Sequence, residues 1–248
     1  MTGAGYTLGC DVSFYQDKNE TPRGIDFKQM RAAGAEFVYI RAGQGFGRDE
    51  DFSRNMAGAK DAGLLRGAYF LFDYRKVAGA QIRLCTDLLA KDRGELPVWL
   101  DVERVPSWGV EALRSVILPG VKDFLEALAE LGGPLPCIYS NPDMLINCLA
   151  PVPEWLLGYP LAVAHYRVER PATSAWVDWQ FWQFTDKGDG GKFGVESRQV
   201  DLDYFNGSVE DLRTLALQGS AQPVGVEDWA RALDAWIRTQ GYKGPRLA

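Results

Sequence analysis

Short apolar runs alternate with helical patterns along the chain. Candidate strands are Tyr6–Val12, Glu36–Arg41, Gly67–Phe72, Leu96–Val102, Pro136–Ser140, Leu161–Tyr166, Gln180–Phe184 and Ser197–Leu202. The central ones, carrying Phe37-Val-Tyr-Ile, Ala68-Tyr-Phe-Leu-Phe and Pro97-Val-Trp-Leu, are continuously apolar rather than alternating. Strands covered on both faces read that way, which predicts a parallel sheet or barrel.

Helical spacing falls between the strands. Phe52, Met56 and Ala59 recur at i, i+4 and i+7, with Asp51 placed to cap and Gly63 near the stop. Val110, Leu113, Ile117, Val121, Phe124, Leu128 and Leu131 keep a three/four spacing, and Pro119 inside it predicts a kink or a split. Strand-then-helix repetition builds right-handed βαβ units. Beyond about residue 140, Met144–Leu149 and Glu154–Leu157 allow only short turns, and Trp176–Thr185 is strand-like. The predicted fold class is α/β: a single irregular (β/α) barrel of TIM-barrel type over residues 1–218, its last three units mainly β. Gly219–Val226 reads as a linker. It leads into an amphipathic helix striped by Val226, Trp229, Ala230, Leu233, Trp236 and Ile237, expected to dock on the barrel.

Composition narrows the chemistry. A 248-residue chain with 46% hydrophobic and 24% charged residues supports one sizeable core. Acidic residues outnumber basic ones 33 to 27, for a net charge of −6, which argues against a nucleic-acid partner. No run approaches the ~20 apolar residues of a membrane span, so no membrane insertion is expected. Met1–Leu8 lacks the basic start and long apolar stretch of a signal peptide, so synthesis in a cytoplasm is expected. Cys10, Cys85, Cys137 and Cys148 have no metal-type spacing and are read as buried free thiols, with one disulfide as the alternative. A single histidine, His165, leaves no His-rich metal site and argues against a Ser-His-Asp triad. Any chemistry must lean on carboxylates.

Their positions are informative. In a barrel of parallel strands, functional groups collect at the strands' C-terminal ends. Asp11 follows Tyr-Thr-Leu-Gly-Cys, Asp101 and Glu103 follow Leu-Pro-Val-Trp-Leu, and Asp201 follows Arg-Gln-Val. Convergence on one mouth would raise at least one pKa and keep that acid protonated near neutrality. Asp101 and Glu103, two apart on a strand, share a face with Cα atoms roughly 6.6 Å apart. One could donate a proton while the other stabilises charge, and backbone spacing alone does not choose between retaining and inverting geometry. Asp203 shares a face with Asp201 and rivals it. Tyr69 is the aromatic of its strand most expected to reach the cleft, with Phe70 and Phe72 in the core. Arg41 could pair with the acidic cluster or make a structural salt bridge, and His165 is read as structural. Gly43, Gly45 and Gly47 lack the Lys-Ser/Thr of a phosphate loop.

The chain resembles glycoside hydrolase family 25, the muramidases of phage endolysins, bacteria and fungi. The likeness is carried by Gly9-Cys-Asp-Val-Ser-Phe-Tyr-Gln16, Phe37-Val-Tyr-Ile-Arg-Ala-Gly-Gln-Gly45, Asp51-Phe-Ser-Arg-Asn55 and Ala62-Gly-Leu-Leu-Arg-Gly-Ala-Tyr-Phe70. It continues through Leu96-Pro-Val-Trp-Leu-Asp-Val-Glu103, Ile138-Tyr-Ser-Asn141, Ala164-His-Tyr166, Trp182-Gln-Phe184 and Val200-Asp-Leu-Asp-Tyr-Phe-Asn-Gly207. The resemblance implies an irregular barrel that cleaves the β-1,4 bond between N-acetylmuramic acid and N-acetylglucosamine with retention. It implies Glu103 as general acid, Asp101 orienting the substrate's 2-acetamido group, and Asp11 and Asp201 shaping the charge of the cleft. Tyr139, Trp182 and Gln183 fall where the family lines its sugar subsites, with a place in the core as the alternative for Tyr139 and Trp182, and Tyr166 joins them with Tyr69 and Arg41 as substrate-binding candidates. The implied partner is the glycan strand of peptidoglycan, met as a monomer after release from the cytoplasm. No metal and no cofactor is implied. Two positions depart from the family pattern: Gln44 stands where many members are acidic, and Phe70 where many have His, which bears on cleft polarity. Two other classes use the same residues, a non-catalytic glycan-binding barrel and a metal-dependent hydrolase with carboxylate ligands.

Overall fold

The structure is a computed structural model, described over residues 5–17, 24–104 and 110–218. The segment from residue 219 onward, with the expected linker and amphipathic helix, lies outside the described residues.

Strand β1 (Thr7–Val12) pairs in parallel with β2 (Phe37–Gln44), and β3 (Gly47–Arg48) folds back on β2 as a short hairpin. From β2 the sheet continues in parallel through β4 (Leu65–Leu71), β5 (Trp99–Asp101), β6 (Cys137–Ser140), β7 (Leu161–Ala164) and β8 (Phe181–Asp189). The last strand, β9 (Gln199–Phe205), runs antiparallel to both β8 and β1 and closes the barrel. One strand is therefore reversed, where a barrel of parallel strands was expected. The cause is local: β8 turns directly into β9 as a hairpin, with no helix between them to carry the chain back across the sheet. The last strand also begins and ends later than the expected Ser197–Leu202, and the strand expected over Leu96–Val102 shortens to β5.

Helices α1 (Phe27–Ala32), α2 (Phe52–Asp61), α3 (Ala78–Leu89) and α4 (Val110–Glu130) follow the early strands. After β6 come a π-helical turn, Met144–Cys148, and α5 (Glu154–Leu157), and α6 (Val209–Leu217) follows β9. Gly63 ends α2 with φ +73, as the pattern predicts. Asp51 does sit at the N-cap of α2, but its carboxylate pairs with Arg54 at 2.8 Å and makes no side-chain cap hydrogen bond. α4 runs unbroken through Pro119. Ile117, Val121 and Phe124 on either side are fully buried, and that packing holds the helix across the one missing N–H. Three helices absent from the sequence reading are α1, α3 and α6. In α3 the signal is Ile82, Cys85 and Leu89, all buried, at three/four spacing; in α6 it is the Ser208/Asp211 capping box.

Two apolar clusters hold the fold. One lies between the barrel and its helices; Phe70 belongs to it, its ring centroid 5.4 Å from that of Phe124. The other fills the barrel interior with Phe37, Tyr39, Leu96, Trp99, Phe181 and Phe205. Tyr39 stacks on Trp99 at 3.5 Å between centroids, and Trp99 on Tyr139 at 5.4 Å. Gly67 is required under this stack, because a Cβ there would sit 2.2 Å from the Tyr39 ring. Leu212 of α6 joins the interior cluster and closes the end opposite the strands' carboxyl termini. Each such buried ring contributes roughly 1.5–3 kcal/mol. That floor offsets much of what the polar groups above it cost. All four cysteines are buried and free, as the spacing suggested.

Candidate active site

Above the stacked rings opens a cleft of about 240 Å³, lined in part by Asp11, Asp101, Glu103 and Asp201. The four carboxylates singled out in the sequence thus meet at one mouth. Asp11 lies on β1 and is the register partner of Asp201 on β9. Asp201 sits near the start of its strand, not the end, and reaches the same rim because β9 runs the other way. Asp101 ends β5, with Leu71 and Tyr139 as its register partners. Val102 continues the ladder through its N–H to the Tyr139 carbonyl at 2.9 Å, which turns Glu103 back to the cleft. Between the two rivals on β9, Asp201 lines the cleft and is half-buried, while Asp203 is wholly buried.

Burial acts on every one of these acids, and repulsion from neighbouring carboxylates adds to it at Asp11, Asp101 and Asp201. Burial first, then Glu103 and Asp11, hold the Asp101 carboxyl well above the usual carboxylate range, against the pull of Arg41. For Asp11 the causes are burial and then Asp203, opposed by a hydrogen bond from Gln183. Burial pushes Asp201 up to about 8, with Asp11, Asp186 and Glu103 adding to it. Glu103 is raised by burial, and a hydrogen bond from the Asn141 side chain opposes the rise. Asp201 therefore holds its proton near neutrality, and the other three are shifted in the direction that acid catalysis requires.

Polar partners fix the geometry. Gln183 donates through Nε2 to Asp11 Oδ2 at 2.6 Å, while its Oε1 accepts from the Tyr139 hydroxyl at 3.0 Å and from the Tyr166 hydroxyl. Arg41 lines the cleft but donates to Asp49 Oδ2 at 3.0 Å, so its ion pair is structural and lies outside the carboxylate cluster. Its guanidinium lies 4.7 Å from the Phe14 centroid and 5.2 Å from that of Tyr15. Tyr69, Tyr139, Tyr166 and Gln183 line the cleft. Trp182 does not. Period-two alternation along β8 sends Gln183 inward and Trp182 outward, where its ring packs with Trp179 and Tyr204 and Nε1 donates to the His165 carbonyl at 2.7 Å. His165 is itself held, its Nδ1 accepting from the Ala172 N–H at 3.0 Å. Gln44 is exposed at the tip of β2 and Phe70 is buried behind the barrel wall, and neither lines the cleft.

Asn141, which hydrogen-bonds Glu103, and the cleft-lining Ser13, Tyr15, Gln16, Leu71 and Trp99 were not among the site residues read from the sequence. Asn141 immediately follows β6, so the strand-end rule applied to Asp101 would have found it; its Oδ1 accepts from the Met144 N–H at 3.0 Å, which leaves the amide nitrogen for Glu103. Tyr15 follows β1 and is 64% exposed, a flat apolar surface on the rim.

A closed α/β barrel with four carboxylates gathered at one rim suits glycoside hydrolysis. The sequence pattern of Glycosyl hydrolases family 25 matches residues 10–191, and the chain belongs to that family. YegX, an uncharacterized protein of Escherichia coli K12, is 34% identical over 214 residues, 85% of this chain and 74% of that one. Lysozyme M1 of Streptomyces globisporus is 29% identical over 221 residues, 84% of this chain and 70% of that one. Among solved structures, a bacterial lysozyme from Streptomyces coelicolor superposes with a TM-score of 0.71 at 29% identity, covering 85% of this chain and 96% of that one.

Proposed function

We propose that this chain is a retaining N-acetylmuramidase that cleaves the β-1,4 bond between N-acetylmuramic acid and N-acetylglucosamine in peptidoglycan. The observation that carries the reading is the pair at the end of β5: Asp101 and Glu103 share one cleft, and both carboxyls are raised by burial. Glu103, half-buried at the rim and held by Asn141, is the general acid and gives its proton to the glycosidic oxygen as the bond to C1 breaks. The substrate's own 2-acetamido carbonyl oxygen attacks C1 from the opposite face, so no enzymic nucleophile is required. Asp101 faces that acetamido group, orients it, and stabilises the positive charge that develops on its nitrogen. Glu103, now ionised, takes a proton from water, which opens the cyclic intermediate with net retention. Asp11 and Asp201 complete the acidic rim around the pair. The rings of Tyr15, Tyr69, Tyr139 and Tyr166 offer faces and hydroxyls to the sugars.

The lysozyme named among the relatives and the one among the solved structures support this substrate class. The protein then acts on the bacterial cell wall. Among the described residues no helix is long and apolar enough to cross a membrane. Digestion of purified peptidoglycan followed by reducing-end analysis tests the bond assignment. New muramic acid ends are expected; new glucosamine ends, or released peptides, refute it.

A further inference from the structure

The barrel face opposite the cleft carries an apolar groove of about 510 Å³. Leu161 opens β7, Gln180 precedes β8 and Phe205 ends the reversed β9, so the groove lies at the amino-terminal side of the parallel strands. Leu157, Trp176, Val177 and Trp179 complete its apolar lining. Hydrogen bonds fix this wall. Trp176 Nε1 donates to the Tyr159 carbonyl at 2.9 Å, and Thr173 Oγ1 to the Trp176 carbonyl at 2.8 Å. Asn206 Nδ2 donates to the Trp179 carbonyl at 3.0 Å. The hollow is therefore preformed, with Leu157 exposed on it and Val177 held out at 99% exposure. Apolar surface gathered in this way marks a place of contact.

The chain itself supplies a cover. Residues 219–248 follow α6, and their sequence sets Val226, Trp229, Ala230, Leu233, Trp236 and Ile237 on one helical stripe. A lone helix of about 12–15 residues is marginal in water and is stabilised by burying such a stripe. Reach is assured. From Asn206, which lines the groove, to Val209 the chain spans at most about 11 Å, and α6 adds about 12 Å to Leu217. The stretch from Leu217 to Val226 extends to about 30 Å, so the stripe can return to the groove whatever the direction of α6. A flexible tether of this length holds the stripe near the groove at an effective concentration on the order of millimolar, which favours it over a second copy of the chain. We propose that the apolar stripe of residues 226–237 docks into this groove and covers Val177. The segment then lies on the far side of the barrel and leaves the cleft open to a long glycan. This docking does not rest on the proposed activity.

Hydrogen exchange on the full chain, read by mass spectrometry, tests it. Amides of residues 229–240 should be protected in the parent. Val177→Asp alters an exposed position and leaves the barrel folded, but it sets a charge beneath the stripe. Exchange in 229–240 should then quicken by about tenfold or more, with α4 unchanged. Trp236→Ala should act in the same direction, and Val177→Ile should keep the parental protection. Val116→Asp, at an exposed position of α4, should leave the segment as it is in the parent. An unprotected segment in the parent, or protection that Val177→Asp does not reduce, would overturn the proposal. So would equal loss in Val116→Asp. Protection that grows with protein concentration would make a second copy the occupant and overturn it too.

Discussion

Arg41 and Asp49 meet at 3.0 Å with both side chains buried, and two further contacts hang on that pair. Asp49 Oδ2 also accepts the Phe14 N–H at 3.1 Å, and Oδ1 accepts the Asp51 N–H at 3.1 Å. One carboxylate thus ties the cleft cation, the turn after β1 and the start of α2 together. Asp49→Ala leaves a buried guanidinium without its counter-ion and is expected to cost about 3–5 kcal/mol of stability. Denaturant titration reads this as a lower midpoint at constant m value. A shift equivalent to less than ~1 kcal/mol, the scale of an exposed pair, would show the bond to be incidental.

Trp182 offers a second test, because its ring belongs to the packing behind the barrel. Trp182→Ala is expected to cost about 3–5 kcal/mol through the cavity it leaves. Trp182→Phe should leave KM for glycan substrates unchanged. A raised KM in a fully stable Trp182→Phe protein would place the indole in the substrate site after all.

Asn141 opposes the upward shift of Glu103 by donating to its ionised form. Removing the donor raises the carboxyl further, and the acid then stays protonated to higher pH. Asn141→Leu should therefore move the alkaline limb of kcat/KM upward. It should also cost about 0.5–2 kcal/mol through the lost acceptor for the Met144 N–H. An alkaline limb that stays in place, or moves down, would mean that Glu103 is not the group titrating there.

Among the described residues, no three His, Cys, Asp or Glu side chains are arranged to hold a metal ion. Excess chelator is accordingly expected to leave turnover on peptidoglycan unchanged. A loss restored by Mg²⁺ or Ca²⁺ would favour the metal-dependent alternative.

Much of the barrel was legible because a strand buried on both faces leaves a continuous apolar run, as Phe37-Val-Tyr-Ile does. The positions of Asp11, Asp101 and Glu103 followed from that run and from the rule that strand ends gather at one face. Asp201 was found for an incomplete reason. Its strand is short and flanked by polar residues, and nothing in its own pattern reveals direction; the hairpin from β8 fixes that. Trp182 was misplaced because a bulky aromatic suits a sugar face and a packed core equally well, and only the inward orientation of Gln183 sets the parity of β8. Asp203 and Asp201 could not be ranked from sequence, since both share one side of β9 and depth in a barrel is a property of the register with β1. Asn141 went unnoticed for a different reason: an uncharged amide beside a strand end carries no electrostatic signature.

The central claim is that Glu103 holds the proton given to the departing sugar. Its most direct test is the turnover of Glu103→Gln on purified peptidoglycan. The account predicts a loss of about 100-fold or more, the scale of removing a general acid, with binding of wall fragments retained. Turnover at the parental rate would contradict it.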